Sequence, residues 1–263
     1  MCGKAPGNDF IMSFRKENIA RVFSRAAGIY DSSVRFQKQC VKDFDRFIGG
    51  LSIDPETILE AGCGTGSMTE LLHCRFPDSS IYACDLADGM ADFCRNKFRS
   101  IPEIFCCRHD FDLPFPVRER DLAVSSLSLQ WSDDLSAALR NLADSAKTHG
   151  TIAFSIPLAE SLSELHDSFR KNGIGFPGQA LPAESEVRMY AESLFEDLRY
   201  EIRSYAETYD SLRDLLHTMR ENGTSGGRNG TPIPILKKIL AENRETPFSV
   251  HYRILFVSGR RKS

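Results

Sequence analysis

The stretch TILEAGCGTGSM, Thr57 to Met68, decides the fold. An apolar run reaches an acid, Glu60, and is followed by three alternating glycines, Gly62, Gly64 and Gly66. Glycine is needed here because the backbone must turn sharply from strand into helix and lie against a ligand with no Cβ between them. A dinucleotide-binding loop, G-x-G-x-x-G, would place its last glycine where this chain has Ser67, so a nicotinamide cofactor is disfavoured. A glycine loop alone also describes a plain strand-to-helix turn, and the weight therefore falls on what surrounds it.

Outward from the loop, Ser80 to Asp85 (SIYACD) is a second apolar run closed by an acid, 19 residues beyond Gly66. At the carboxyl end of a neighbouring strand, Asp85 can accept both hydroxyls of a ribose. A third strand, Ile104 to Cys107, leads into Arg108-His109-Asp110-Phe111, where an acid followed by an aromatic can bond an adenine amino group and cover the base. A fourth, Asp121 to Ser126, emerges into LSLQWSDDL. Asp85, Asp110 and Asp121 are each readable as loop caps, but together they lead us to expect acid or polar strand ends converging on one sheet edge.

The coarse pattern alternates: strands at 57–61, 80–84, 104–107, 121–126 and 150–156, with helices at 66–75, 88–99 and 133–147 between them. Strands at 200–208 and 248–257 follow helices at 161–171 and 183–195. This order predicts an α/β fold, a mostly parallel seven-stranded sheet flanked by helices on both faces. One domain over 1–263 is expected, with its core at 55–208 and 244–259. Two segments exceed that core: amphipathic helices over 11–48, punctuated near Gly28, and a 210–243 insertion with helices at 210–221 and 234–242 around the glycine-rich 222–230 stretch. They are expected to form a helical lid that carries substrate specificity.

Composition bounds the function. At 263 residues and 41% hydrophobic, the chain can bury one substantial core with an accessory lid. Its 33 basic against 36 acidic residues, a net charge of −3, argue against a dedicated nucleic-acid binder. No apolar run approaches the roughly 18 residues of a membrane span. The opening MCGKAPGNDF lacks an apolar signal core and reads as a disordered leader of a cytoplasmic protein. The eight cysteines contain no C-x-x-C pair, so zinc spacing is absent and no metal is expected; buried, reduced thiols are the reading. Cys63, within the glycine loop, could be shielded by a bound cofactor.

VFSRAAGIYDSSVRFQKQ (22–39), ILEAGCGTGSM (58–68), SSLSLQWSDDLSAALRNL (125–142), LSELHDSF (162–169), YDSLRDLLHTMRENG (209–223) and SVHYRILFVSGRR (249–261) together resemble the malonyl-acyl-carrier-protein O-methyltransferases of biotin synthesis, the BioC type. The resemblance implies a Rossmann-like class I methyltransferase that uses S-adenosyl-L-methionine to methylate the free carboxyl of malonyl-acyl-carrier protein or malonyl-CoA. It implies cofactor-binding roles for Glu60, Gly62, Gly64, Asp85, Leu86, Met90, Asp110, Phe111, Ser126 and Leu127, with Arg25 and Gln37 reaching in from the N-terminal helices. Gln130 and Trp131 would look toward the transferred methyl. A malonyl carboxylate is already ionised near pH 7 and needs no general base, so catalysis can rest on positioning. A buried carboxylate does demand partners, and Tyr30 with Arg220 is the expected clamp, Arg213 or His217 being further candidates. Arg35, Lys38, Lys42, Lys237 and Lys238 would form a basic rim for an acidic carrier protein. Two alternatives stay open: a methyltransferase on another small acid or a quinone, and a cofactor-binding assembly or hydroxylation factor of the respiratory complex I type.

Overall fold

The computed structural model describes residues 14–224, 231–244 and 247–263; the expected leader and most of the glycine-rich 222–230 stretch lie outside them. Seven strands, β1 (Thr57–Ala61), β2 (Ser80–Asp85), β3 (Ile104–Arg108), β4 (Arg120–Ser126), β5 (Ala146–Pro157), β6 (Phe195–Tyr209) and β7 (Phe248–Arg261), form one sheet in the order β3-β2-β1-β4-β5-β7-β6. The first five are parallel, and β7 runs antiparallel between β5 and β6. The last three strands outrun their apolar stretches: Glu196 of β6 pairs with Arg260 of β7, where the ladder rather than burial holds the chain extended.

Period-two alternation sends side chains to two cores. Ile58, Val124, Ile254 and Phe256 enter one, and Leu59, Ala123, Leu255 and Val257 the other. The first is covered by α2 (Arg35–Gly49), α3 (Ser67–Arg75), α4 (Asp88–Lys97), α6 (Ser163–Arg170), α8 (Leu212–Glu221) and α9 (Ile233–Glu242). The second is covered by α5 (Leu135–Ser145) and α7 (Glu184–Leu194). Strand order reverses between β1 and β4, which leaves a crevice beyond the carboxyl ends of those strands.

The N-terminal segment differs from expectation in two ways. Its break falls at Val34 (φ −110°, ψ 103°), which is buried, while Gly28 continues α1 (Phe14–Ser33) on its exposed side. The corner turns the chain from the crevice onto the sheet. Beyond it, α2 buries Cys40, Phe44 and Ile48, with the Phe44 ring 5.2 Å from that of Phe256. This helix is mainly a layer of the core, with Phe36, Gln37, Lys38 and Val41 at its start lining the crevice that α1 covers.

Asp121 also departs from the expected convergence. It begins its strand rather than ending it, so it lies at the opposite edge of the sheet. There it accepts bonds from the backbone N–H (2.9 Å) and hydroxyl (2.8 Å) of Thr57 and pairs with Lys147 at 2.7 Å. Burial works against its ionisation, but Lys147 and Thr57 outweigh this and hold its pKa below the usual carboxylate range.

Candidate active site

A cavity opens at the crevice, and its floor is made by strand ends and the glycine loop. The N–H groups of Gly62 and Cys63 donate to the Cys84 carbonyl at 2.7 and 2.9 Å, which folds the loop back across the end of β2. Gly62 has φ +78°, and a Cβ there would lie 2.2 Å from Ser128 Oγ. Gly64, at φ +55°, has open space where its Cβ would be, so the backbone itself faces the cavity. Asp85 accepts from the N–H of Gly64 (2.9 Å) and of Ala87 (2.8 Å). Burial raises its pKa to about 6 against the pull of those two donors. At the end of β4, Leu127 is held at φ +49° by bonds from its N–H to the carbonyl and hydroxyl of Ser155, a conformation costly for a residue with a side chain.

Glu60, 1% exposed, also lines the cavity. Its carboxylate accepts the Thr69 hydroxyl at 2.6 Å, and burial pushes its pKa up to about 8. A carboxyl so placed favours a ligand that brings positive charge.

The roof is α1. Its face of Ile19, Ala20, Phe23, Ala26, Ala27 and Tyr30 packs against Leu86, Ala87, Met90 and Trp131. Polar side chains fasten it along its length. Lys16, 3% exposed, bridges Asp110 and Asp112 at 2.5 Å each and lies 5.7 Å from the Phe111 ring centroid. Arg15 reaches Asp133 at 2.5 Å and Gln179 at 2.6 Å. The Ser24 hydroxyl accepts from Gly89 N–H at 3.1 Å, and Asp31 accepts the hydroxyl of Thr65 in the glycine loop at 2.6 Å. A Cβ on Gly89 would meet the Ser24 backbone at 2.5 Å, so the two helices touch main chain to main chain.

Twelve of the residues expected at the site line this one cavity: Glu60, Gly62, Gly64, Asp85, Leu86, Met90, Phe111, Ser126, Leu127, Tyr30, Gln130 and Trp131. Tyr30 is half-buried; desolvation raises its phenol pKa, as do Asp85 and Asp31 nearby. Gln130 donates to the Leu127 carbonyl at 2.6 Å while its own side-chain oxygen stays buried and unbonded. Trp131 both lines the cavity and meets Phe23 edge-on at 5.3 Å. Gln37 lines the cavity as well, with its side-chain oxygen buried and unbonded.

Other expectations are corrected. Asp110 is turned away from the main cavity by Lys16 and borders a separate hollow with Leu86, Arg108, His109 and Leu113. Arg220 is exposed and does not line the cavity, because α8 turns Leu212, Leu215 and Met219 inward and leaves Arg213, His217 and Arg220 outside. His217 pairs there with Glu221 at 3.1 Å. Arg25 is likewise exposed on α1.

Sequence reasoning missed Lys16, Ser24, Asp31, Gly89 and the chamber residues Phe36, His166, Phe176, Met219 and Tyr252. A signal existed for His166, which sits one helical turn beyond Leu162 on the buried side of α6. The cavity therefore joins two parts. One is a slot of Leu86, Met90 and Phe111 beside Asp85 and Glu60, suited to a nucleoside with a cationic arm; the other is a mainly apolar chamber.

Comparison with known proteins agrees with that chemistry. A methyltransferase-domain family matches residues 59–154. The chain is 33% identical to a malonyl-acyl-carrier-protein O-methyltransferase of Serratia marcescens, covering 79% of this chain and 83% of the relative. It is 29% identical to the protein of that name from Acetivibrio thermocellus, covering 91% and 92%. Among solved structures it resembles the N-methyltransferase NodS of Bradyrhizobium japonicum in complex with S-adenosyl-L-homocysteine, with a TM-score of 0.56 at 14% identity, covering 95% of this chain and 99% of that one.

Proposed function

Since the chain belongs to the malonyl-acyl-carrier-protein O-methyltransferases, we propose that it methylates the free carboxyl of a malonyl thioester, an early step of biotin synthesis in the cytoplasm. Its cofactor is S-adenosylmethionine. The observation that carries the reading is the joined cavity, a nucleoside slot lined by the acids Asp85 and Glu60 that opens into an apolar chamber under α1.

When bound, S-adenosylmethionine supplies a methyl group on a positively charged sulfur. The residues that would hold it divide the work. Asp85 would accept the ribose hydroxyls, and Leu86, Met90 and Phe111 would enclose the base. Glu60 answers the positive charge of the amino-acid end, and the Gly62–Gly64 backbone with Ser126 and Leu127 forms the floor beneath it. Asp110 acts by a different route, fixing Phe111 and α1 through Lys16. Tyr30, Gln130 and Trp131 form the ceiling at the boundary with the chamber, where α1 excludes water and narrows the approach of the carboxylate. No proton has to be removed, because a malonyl carboxylate is already ionised near pH 7.

For a carrier-protein substrate, Lys38 lies at the cavity wall and is exposed on α2 together with Arg35 and Lys42, a basic face toward an acidic partner. Lys237 and Lys238 are exposed on α9. Incubation with S-adenosylmethionine and either malonyl-acyl-carrier protein or malonyl-CoA, read by mass spectrometry, tests the reading. One added methyl on the malonyl group, with S-adenosylhomocysteine released, is expected. Turnover of aconitate or a quinone with none on either malonyl thioester overturns it.

A further inference from the structure

With Arg220, Arg213 and His217 outside the cavity, the substrate anion still needs a counter-charge. Among the residues that line the cavity, those able to carry positive charge are Lys38 and His166. Lys38 is exposed on α2, well suited to the carrier rather than to a buried carboxylate. His166 belongs to α6, is half-buried, and meets the Phe176 ring edge-on at 5.4 Å, which fixes the imidazole plane. Neither of its ring nitrogens has a hydrogen-bond partner among the described residues, although each can bond in either protonation state. Phe36, Met219 and Tyr252 complete an apolar chamber around it. A histidine with idle nitrogens in such a chamber is equipped for a ligand and has no structural bond to satisfy.

We infer that His166 recognises the substrate carboxylate, donating as imidazolium to the carboxylate oxygen that is not methylated. The inference rests on the reading given under Proposed function. The other oxygen then attacks the methyl carbon: the O–C bond forms, the C–S bond breaks, and its electron pair stays on sulfur. No proton moves in this step; the one taken up when the anion binds is released once the neutral ester leaves. The ester has lost the charge that held it to the imidazolium, which favours product release, and an acetyl thioester lacks the recognised group from the start.

Burial lowers the His166 pKa, opposed by Asp167 and assisted by Arg170 on its own helix. The other titratable groups that line the cavity are Tyr30 of α1, Lys38 of α2, Glu60 of β1, Cys63 of the glycine loop, Asp85 of β2 and Tyr252 of β7, while Glu164 on α6 is taken by His251. The free enzyme therefore holds a neutral imidazole near pH 7, and binding the anion takes up a proton. KM for the malonyl thioester should rise with pH above the pKa of free His166.

The test is His166→Gln beside His166→Leu, each assayed with malonyl-pantetheine. The expected result is a fall in kcat/KM of about a hundredfold, mainly through KM, with a flattened pH dependence and unchanged S-adenosylhomocysteine affinity as the control for folding. His166→Gln within about twofold of the parent overturns the inference, as does a loss that follows Lys38→Met instead. A parent that makes no malonyl ester at all defeats the broader reading. His166 is then judged by NMR of its ring in the S-adenosylhomocysteine complex titrated with malonate: a raised imidazole pKa supports its role in anion recognition, and an unmoved one rejects it.

Discussion

The floor and the roof of the cavity are held by different forces. Main-chain N–H groups fix the floor: Gly62 and Cys63 to the Cys84 carbonyl, Gly64 to the Asp85 carboxylate, Leu127 to the Ser155 carbonyl. The roof, α1, belongs to neither main core and is fastened by side chains at Lys16, Arg15, Ser24 and Asp31, across separations of 34 to 164 residues. A floor built into the sheet opens only if the sheet does. Side-chain fastenings can release one element while the fold stays intact, and an enzyme that must admit both a cofactor and an acyl chain has use for that difference.

The largest test of the contrast is Lys16→Met. It leaves buried Asp110 and half-buried Asp112 without that cation, and breaking such a cluster costs about 3–5 kcal/mol locally. Amide exchange should become fast over 14–33 while protection in β1 and β4 is retained; equal loss in both would mean that roof and floor are one cooperative unit. On the floor, Asp85→Ala should cost about 1–3 kcal/mol of S-adenosylhomocysteine binding by calorimetry, and unchanged affinity would remove Asp85 from the site.

Glu60 gives a pH signature. Its carboxyl is raised to about 8 in the fold, so between the ordinary glutamate range and about 8 the native state holds a proton that the unfolded chain releases. Stability from this group therefore falls as pH rises through that window, while the form that attracts a cationic ligand fills. S-adenosylhomocysteine affinity should climb by about tenfold from pH 6.5 to 8, and Glu60→Gln should flatten the climb. A parental profile that is level or falling would count against the charge role. The smallest effect is expected at Arg220→Ala, less than about twofold in kcat/KM, since that side chain lies outside the cavity. A loss of tenfold or more would mean that α8 rotates inward during turnover.

The floor was legible in the sequence because its requirements are local. Gly62 and Gly64 need positive φ, and Asp85 need only follow its own apolar run to reach the right edge of the sheet. Asp121 shows how narrow that rule is, since the same residue type placed before its run lands at the opposite edge. The lid was legible only in outline. The amphipathic pattern over 11–48 announces helices, but it cannot say that Val34 divides them, or that α2 joins a core layer while α1 crosses the crevice.

By itself, then, the sequence determined the seven-stranded α/β fold, the glycine loop and the acids of the nucleoside slot, all set by hydrogen bonding and alternation within a few residues. Tertiary structure alone decided that Lys16 takes Asp110, that Met219 rather than Arg220 faces inward, and that His166 reaches the apolar chamber. The reason is geometric. Which side of a helix meets ligand depends on the rotation at which it packs, and contacts with elements distant in the chain set that rotation.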